Sequence, residues 1–167
     1  MSIFAIAAIG RNLGIADEDD NLLYKIKEDM KFFRDMTIGN TVIMGRKTFN
    51  SIGGALKGRY NIVISRMTYL YREDSNFKVT DFNTALNIVR NNKPIMGNNI
   101  CIIGGAEIYD QFIEYCDYLY LTHYIYHKSE PTKFFPDPSL YGFNEYTNIK
   151  SGMHEDHIFN IYKVSKR

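Results

Sequence analysis

The chain has 167 residues, of which 45% are hydrophobic and 23% are charged. This length and composition are typical of one globular domain, and they exclude a disordered or fibrous protein. The formal net charge of +1 argues against a broad nucleic-acid-binding surface, so any site for an anion must be local.

Cysteine usage and hydropathy indicate the compartment. Cys101 and Cys116 are the only two cysteines and form no CxxC pair, which favours free thiols in a reducing compartment. The apolar run Ile3 to Ile9 lacks a basic leader and is interpreted as a buried strand, not a signal peptide. Because no run approaches transmembrane length, we expect a soluble cytoplasmic protein that does not bind membranes.

Short apolar runs alternate with helical patterns along the first two thirds of the chain. This alternation predicts an α/β fold with a mainly parallel sheet covered on both faces. Strands are predicted near residues 2–9, 40–45, 59–65, 77–80 and 99–104. Helices are predicted near residues 25–35, 47–53, 82–91 and 105–116.

The last third of the chain has a different pattern. Three extended runs cover Tyr118 to Tyr126, Phe143 to Ile149 and His157 to Val164, with no helix between the last two. Ser151-Gly152 is a plausible hairpin connection, so the chain is predicted to end in an antiparallel pair at the sheet edge. No repeat or linker marks a second domain.

The first predicted helix carries a carboxylate on its apolar face. Helical spacing places Asp29 one turn from Phe33, with Ile26 and Met30 beside them, and it directs Glu28 to solvent. A carboxylate that leans toward the core needs a partner. Asp29 is therefore either a helix cap or a group reserved for a ligand.

A turn bearing cations follows the second long strand. The strand ends at Gly45, and the segment Arg46 to Thr48 begins a helix, so free N–H groups and two cations meet at a corner that suits a phosphate. The turn is not a Walker A loop, because the strand lies between Gly39 and Gly45 and an arginine takes the place of the lysine. A solvated helix start with ordinary surface cations is the alternative.

A second glycine turn joins a buried strand to a helix through Gly104-Gly105. Two residues without side chains let a flat or phosphorylated ligand approach the backbone N–H groups. Ile108 occupies the offset of the third glycine in GxGxxG, so the Rossmann fingerprint is absent. Alone, this turn is weak evidence of a site.

Together, these segments resemble dihydrofolate reductase. The resemblance rests on Ala7-Ala8, an acidic residue on the first helix, VIMGRKTFNSIG, GRYNIVIS, IIGGAEIY and LTHY, in this order. It implies one domain over residues 1–167, with an eight-stranded mixed sheet, an antiparallel C-terminal hairpin and four helices. It also implies NADPH as cofactor and hydride transfer to C6 of 7,8-dihydrofolate with protonation of N5, which supplies tetrahydrofolate to one-carbon metabolism.

The resemblance also implies residue roles. Asp29 matches the family's active-site acid, with Tyr24 and Thr122 as further catalytic positions, and Arg59 matches the arginine that binds the substrate's α-carboxylate. The other substrate positions are Ile6, Ala7, Met30, Phe33, Ile52, Leu56 and Ile103. The cofactor positions are Ala8, Leu13, Gly14, Gly45, Arg46, Lys47, Thr48, Ser65, Arg66, Ile103, Gly104, Gly105, Ala106, Glu107, Ile108 and Tyr109.

The implied chemistry needs one acid. We expect Asp29 to bind and polarise the pterin while water delivers the proton to N5. The cations Arg46, Lys47 and Arg66 favour NADPH over NADH, because the 2′-phosphate adds charge to neutralise. The four histidines show no metal-ligand spacing, and no metal is expected.

The chain departs from the family in the loop before the first helix. Leu22-Leu23-Tyr24 stands where most relatives carry Leu-Pro-Trp, and the Tyr24 hydroxyl could keep the tryptophan's hydrogen-bonding role. The loop is also longer and acidic from Asp17 to Asp20. It is either a solvated loop or a lid that repulsion biases toward open, which would raise the apparent KM for NADPH.

Two rival functions remain open. The first is a reductase of the riboflavin-synthesis type, against which Asp29 and Arg59 count. The second is a non-catalytic pterin- or NADP-binding module, which the altered lid favours. Under the main reading the partners are dihydrofolate and antifolates such as methotrexate, with no nucleic acid, and the protein is a monomer.

Overall fold

The computed structural model describes residues 1–68, 74–125, 130–155 and 157–167. The strands are β1 (Ser2–Ile9), β2 (Gly14–Ala16), β3 (Thr41–Gly45), β4 (Tyr60–Ile64), β5 (Phe77–Thr80), β6 (Asn99–Gly104), β7 (Tyr118–Tyr124), β8 (Lys133–Phe134), β9 (Phe143–His154) and β10 (His157–Lys166). The α-helices within these residues are α1 (Lys27–Thr37), α2 (Arg46–Ser51), α3 (Phe82–Arg90) and α4 (Ala106–Phe112). Each predicted helix and strand has a counterpart in the structure. The predicted run Tyr118 to Tyr126 ends at Tyr124 in β7, and Tyr126 lies outside the described residues. Strand β9 extends five residues beyond the predicted Ile149.

The main sheet has eight strands in the order β5-β4-β3-β6-β1-β7-β10-β9. The first six strands of this order are mutually parallel. Strand β10 runs antiparallel to both β7 and β9. The predicted mixed sheet with an antiparallel C-terminal hairpin is confirmed.

The position of the hairpin turn was predicted wrongly. Ser151 and Gly152 lie inside β9, where they pair with Asn160 and Phe159 of β10. The connection follows His154 instead. The glycine has a packing reason, since a Cβ on Gly152 would overlap the Phe159 ring and only a residue without a side chain fits there.

The sheet lies between two layers of helices. Residues of α3 and α4 pack on one face with Ile43, Ile62 and Ile102. Phe33 of α1 and Phe49 near the end of α2 pack on the other face. This double cover explains why the parallel strands are continuous apolar runs.

A second, small sheet was missed by the sequence analysis. Strand β2 pairs antiparallel with β8, so the loop before α1 is joined to the segment that follows β7. Strands of two or three residues carry no readable periodicity. This pairing holds the loop against the body of the protein.

Two further predictions concern the core and the membrane. Cys101 and Cys116 are buried free thiols, as predicted, and burial raises the pKa of Cys101 to about 12. Among the residues described, no helix is long and apolar enough to cross a membrane.

Candidate active site

Several of the predicted site residues lie at the edge of the sheet where the parallel strands end. Met44, before the end of β3, pairs with Gly104 at the end of β6. On the other side of β1, Ala8 pairs with Thr122 of β7. Open α/β sheets bind ligands outside the carboxyl ends of their strands, so topology alone marks this edge as the site.

Asp29 lies in the first turn of α1 and does not cap the helix. The N-cap residue is Ile26, and no side chain caps this terminus. The Thr122 hydroxyl donates a hydrogen bond of 2.6 Å to Asp29 Oδ1. Burial raises the pKa of Asp29, while the hydroxyls of Thr122 and Tyr124 lower it. The acid is therefore held by the sheet, which favours the ligand-binding interpretation over the cap.

Two stacked tyrosines lie beside this acid. The rings of Tyr24 and Tyr124 are parallel within 9°, with centroids 4.3 Å apart. Both hydroxyl oxygens are buried, and neither has a hydrogen-bond partner among the described residues. A Cβ at Gly10 would overlap the Tyr24 hydroxyl, so this hydroxyl points toward the first loop. The hydrogen bond expected of Tyr24 is not formed within the described part of the chain.

Two predictions for neighbours of Asp29 on α1 need correction. Met30 is 57% exposed, because Phe32 and Met36 pack against the sheet and shift the buried stripe away from it. Glu28 was expected to face solvent, and its side chain is 43% exposed, but its Oε2 atom is buried and has no hydrogen-bond partner among the described residues. The ring nitrogen Nδ1 of His154 lies 4.0 Å from that oxygen.

Arg59 lies at the other end of α1. Its side chain is 7% exposed, and it donates hydrogen bonds of 3.0 Å to the Lys57 carbonyl and to Thr37 Oγ1. Burial lowers its pKa, and the neighbouring Arg34 lowers it further. No carboxylate of the described residues forms an ion pair with it. A buried cation without a counter-ion is costly, so an anionic ligand at this guanidinium would relieve that cost.

The two glycine turns pack against each other. A Cβ on Gly45 would lie 3.2 Å from Ile108 Cγ1, and one on Gly105 would lie 3.5 Å from Thr48 Oγ1. The peptide between Gly104 and Gly105 is cis, with a φ of 119° at Gly104. The contacts of Gly45 and Gly105 place the predicted cofactor segments 45–48 and 104–108 side by side.

Tyr109 supports these segments from inside the protein. It is 5% exposed, and its hydroxyl donates a 2.7 Å hydrogen bond to the carbonyl of Ile6. Burial raises its pKa, and the nearby charge of Asp29 raises it further. The side chain therefore ties α4 to β1 close to the acid.

The predicted phosphate-binding residues differ in availability. Arg46, Lys47 and Arg66 are exposed. The Ser65 hydroxyl is buried and accepts a hydrogen bond of 3.1 Å from the Met67 N–H. The cations can therefore contact a ligand directly, whereas Ser65 supports its own turn.

The acidic loop is tied to this region. Asp20 pairs with Lys133 of β8, and its other oxygen lies 3.8 Å from Lys47 Nζ. Asp17 instead accepts hydrogen bonds from the backbone N–H groups of Asp19 and Asn21. Two of the four acidic residues thus make specific contacts, so the loop is not a uniformly solvated charge run.

The structure also places the remaining predicted residues. The apolar substrate positions Ile6, Phe33, Leu56 and Ile103 pack in one cluster on the α1 face, and Ile52 is 38% exposed. Glu107 is exposed, while Ala7, Ala8, Leu13 and Ala106 are partly buried and Gly14 is buried. Among the described residues, no group of acidic, histidine or cysteine side chains could hold a metal ion.

Tyr124 was missed by the sequence analysis. The alternation of a strand places it on the same face as Thr122, and this signal is present in Leu121-Thr-His-Tyr124. Only Thr122 was singled out, because a run rich in tyrosine is most simply a sheet strand.

Comparison with known proteins identifies the family of the chain. The family model described as dihydrofolate reductase matches residues 2–166. The dihydrofolate reductase of Haemophilus influenzae is 38% identical over 122 residues, which are 73% of this chain and 71% of that protein. The enzyme of Staphylococcus haemolyticus is 30% identical over 155 residues, which are 89% and 88% of the two chains.

A solved structure has the same fold. Dihydrofolate reductase from Enterococcus faecalis, complexed with NADP(H) and RAB-propyl, superimposes with a TM-score of 0.82 at 24% identity. The match covers 99% of this chain and 96% of that chain. With the sequence matches above, it follows that the chain belongs to the dihydrofolate reductase family.

Proposed function

We propose that the chain reduces 7,8-dihydrofolate to 5,6,7,8-tetrahydrofolate with NADPH, and that Asp29 is the acid that binds the pterin. The observation that carries this assignment is the partly buried Asp29 carboxylate, bonded to Thr122 at the carboxyl edge of the sheet. Family membership supports the reaction, and the geometry supports the residue roles.

The substrate is proposed to lie along α1. Asp29 is in the first turn of this helix, and the partner of Arg59, Thr37, is its last residue. Eight residues of helix separate them by about 12 Å, a span that suits a pterin at one end and a glutamate carboxylate at the other. Exposed Met30 and Ile52 are proposed as apolar walls, since exposed apolar side chains commonly line ligand grooves.

The cofactor is proposed to lie across the paired glycine turns. Its nicotinamide would contact Ala8, Gly104 and Gly105, and its phosphates would contact the segment Arg46 to Thr48 together with Arg66. When bound, NADPH supplies the hydride, and the protein contributes orientation and electrostatics. The close approach of Gly45 to Ile108 supports one shared binding surface.

Asp29 is proposed to act on the pterin ring and not on the cofactor. Its carboxylate is proposed to bind and polarise the ring while water delivers a proton to N5. Burial raises its pKa, which keeps a larger protonated fraction near neutral pH than an exposed aspartate would have.

One assay separates catalysis from binding. The protein is mixed with NADPH and 7,8-dihydrofolate, and the loss of reduced-nicotinamide absorbance is followed with and without methotrexate. We expect turnover that methotrexate blocks. Tight methotrexate binding without turnover would establish the non-catalytic module instead, and turnover of a ribosylamino-pyrimidine alone would establish the riboflavin-type reductase.

Further properties are proposed on narrower grounds. We propose that residues 1–167 form one domain and that the enzyme works as a cytoplasmic monomer. The buried free thiols support a reducing compartment.

A further inference from the structure

We propose that Tyr124 is a positioning residue for the active-site acid, and that its hydroxyl donates a second hydrogen bond to the Asp29 carboxylate when dihydrofolate is bound. This inference rests on the proposed function of Asp29. It adds a tyrosine from β7 to the aspartate and threonine pair described above.

The first argument is placement. Thr122 and Tyr124 are two residues apart on β7 and share the face that meets α1. Tyr120, two residues earlier on that face, contacts Phe32 of α1 edge to face, with ring centroids 6.0 Å apart. Strand and helix therefore pass each other with Thr122 and Tyr124 successively facing the first turn of α1, where Asp29 lies.

The second argument is the unsatisfied hydroxyl. The Tyr124 hydroxyl is buried, and among the described residues it has no hydrogen-bond partner. It approaches Asp29 closely enough to lower the pKa of that carboxyl, although the pair does not meet full hydrogen-bond geometry. Leaving a buried hydroxyl unpaired is costly, and catalytic hydrogen bonds that are loose in a free enzyme commonly tighten in its complex.

The third argument is rigidity. Tyr24 stacks on Tyr124 at 4.3 Å, and Phe159 lies against the ring of Tyr124 with centroids 6.0 Å apart. These contacts fix the ring plane, so little side-chain entropy remains to be lost when the hydroxyl completes its bond.

Several other ionisable groups face this acid. Glu28 is its neighbour on α1 and raises the pKa of Tyr124, as do Asp29 and Tyr24. Tyr109 approaches from α4, and His154 of β9 approaches Glu28. Glu28 is thus the rival acceptor for the Tyr124 hydroxyl, and the experiment must separate it from Asp29.

The test is Tyr124→Phe, assayed by single-turnover hydride transfer from NADPH to dihydrofolate as a function of pH. A hydrogen bond donated to the ionised carboxylate stabilises that form, so loss of this bond should raise the apparent pKa of Asp29. That pKa is measured from the limb of the pH profile along which the rate falls with rising pH. We expect a shift of up to about one pH unit, which is tenfold in proton affinity. A structural role would lower the rate or the thermal stability without moving this limb.

Controls make the assignment specific. Tyr120→Phe removes a hydroxyl from the same face of the same strand and should leave the limb in place. Glu28→Gln, alone and combined with Tyr124→Phe, tests the rival acceptor, because contacting groups reveal themselves by non-additivity. If Tyr124→Phe does not fold, Tyr124→Leu removes the same hydroxyl and should give the same shift.

Three outcomes would overturn the proposal. The first is a pH limb that does not move in Tyr124→Phe, and the second is an equal shift of the limb in Tyr120→Phe. The third is that Tyr124→Phe no longer shifts the limb when it is combined with Glu28→Gln. Absence of hydride transfer in the unaltered protein would instead refute the proposed function, so the two failures are distinguishable.

Discussion

At the scale of single residues, Asp29 lowers the stability of the fold but serves the proposed reaction. A buried carboxylate is costly when ionised, and the bond from Thr122 compensates only in part, since the pKa of Asp29 remains raised. Functional sites retain such groups because a displaced pKa serves the reaction. Replacing the acid should therefore change activity and stability in opposite directions.

Asp29→Asn is predicted to reduce kcat by about 10²–10⁴-fold, the usual contribution of acid and base groups. It should also raise the free energy of unfolding at neutral pH. Because the folded-state pKa is raised, the protonated carboxyl favours folding, and this contribution is lost as the pH rises through the folded-state pKa. Denaturant unfolding at several pH values should show the variant's advantage shrinking toward acid pH.

The matched control is Asp35→Asn on the same helix, where the exposed carboxylate pairs with Lys31 at 2.8 Å. It should leave kcat unchanged and alter stability little, since exposed pairs contribute at most about 1 kcal/mol. Unchanged turnover of Asp29→Asn at neutral pH would contradict the assigned role.

For single residues, the sequence could predict which face of a helix or strand a side chain occupies. Helical spacing correctly turned Asp29 toward the core, but the local pattern gave Met30 the same orientation. Only the tertiary contacts of Phe32 and Met36 decide where the buried stripe is centred. Strand alternation could likewise have placed Tyr124 on the same face as Thr122, but its closeness to Asp29 depends on how α1 crosses β7.

At the scale of elements, long periodic segments were predictable and short pairings were not. The six parallel strands are largely apolar runs of four to eight residues, whereas β2 has three residues and β8 has two. The small sheet nevertheless decides how the loop before α1 sits. Thr132 N–H donates to the carbonyl of Ala16 at 2.9 Å, and Phe135 N–H donates to that of Leu13 at 2.8 Å.

The acidic loop before α1, the possible lid, contacts the proposed cofactor site. Asp20 contacts Lys133 of β8 and Lys47 of α2. A phosphate that binds Lys47 must therefore compete with the Asp20 carboxylate. The contact is specific to one residue, which refines the earlier idea of general repulsion within the acidic loop.

Asp20→Asn is predicted to tighten NADPH binding by roughly twofold to fivefold, the range expected from loss of a partly exposed ion pair. Asp19→Asn, a neighbouring change of the same charge at an exposed position, should have a smaller effect. Fluorescence titration with NADPH at low and high salt measures both. Equal effects of the two variants would favour general repulsion, and weaker binding by Asp20→Asn would show that its contact with Lys133 dominates.

At the scale of the whole molecule, the site exists only through the topology. Asp29, Gly104 and Thr122 lie far apart in the sequence, and the order of strands in the sheet brings their elements to one edge. Arg59 precedes β4 and lies at the opposite edge. Periodicity along the chain contains no information on strand order. The resemblance to a known family supplied the roles of these residues, but the strand order comes from the structure.

The low net charge of the protein leaves recognition of an anionic cofactor to a few local cations. With a formal net charge of +1, the protein has little long-range attraction for an anionic cofactor, so discrimination between NADPH and NADH must come from direct contacts. Arg46, Lys47 and Arg66 are exposed and are the proposed contacts. The double variant Lys47→Gln/Arg66→Gln should weaken NADPH binding roughly tenfold more than NADH binding. The difference should shrink at high ionic strength.

Lys93→Gln provides the control for charge alone, since Lys93 follows α3 on the other face of the sheet and is exposed. It lowers the net charge by one without touching the proposed site, and it should alter both affinities equally and slightly. Titrating each variant with both nucleotides at two salt concentrations measures the selectivity. Equal losses of NADPH and NADH affinity in the double variant would place the 2′-phosphate elsewhere. In that case Lys47 and Arg66 would contact a phosphate common to both nucleotides, and the prediction for Asp20→Asn would still hold.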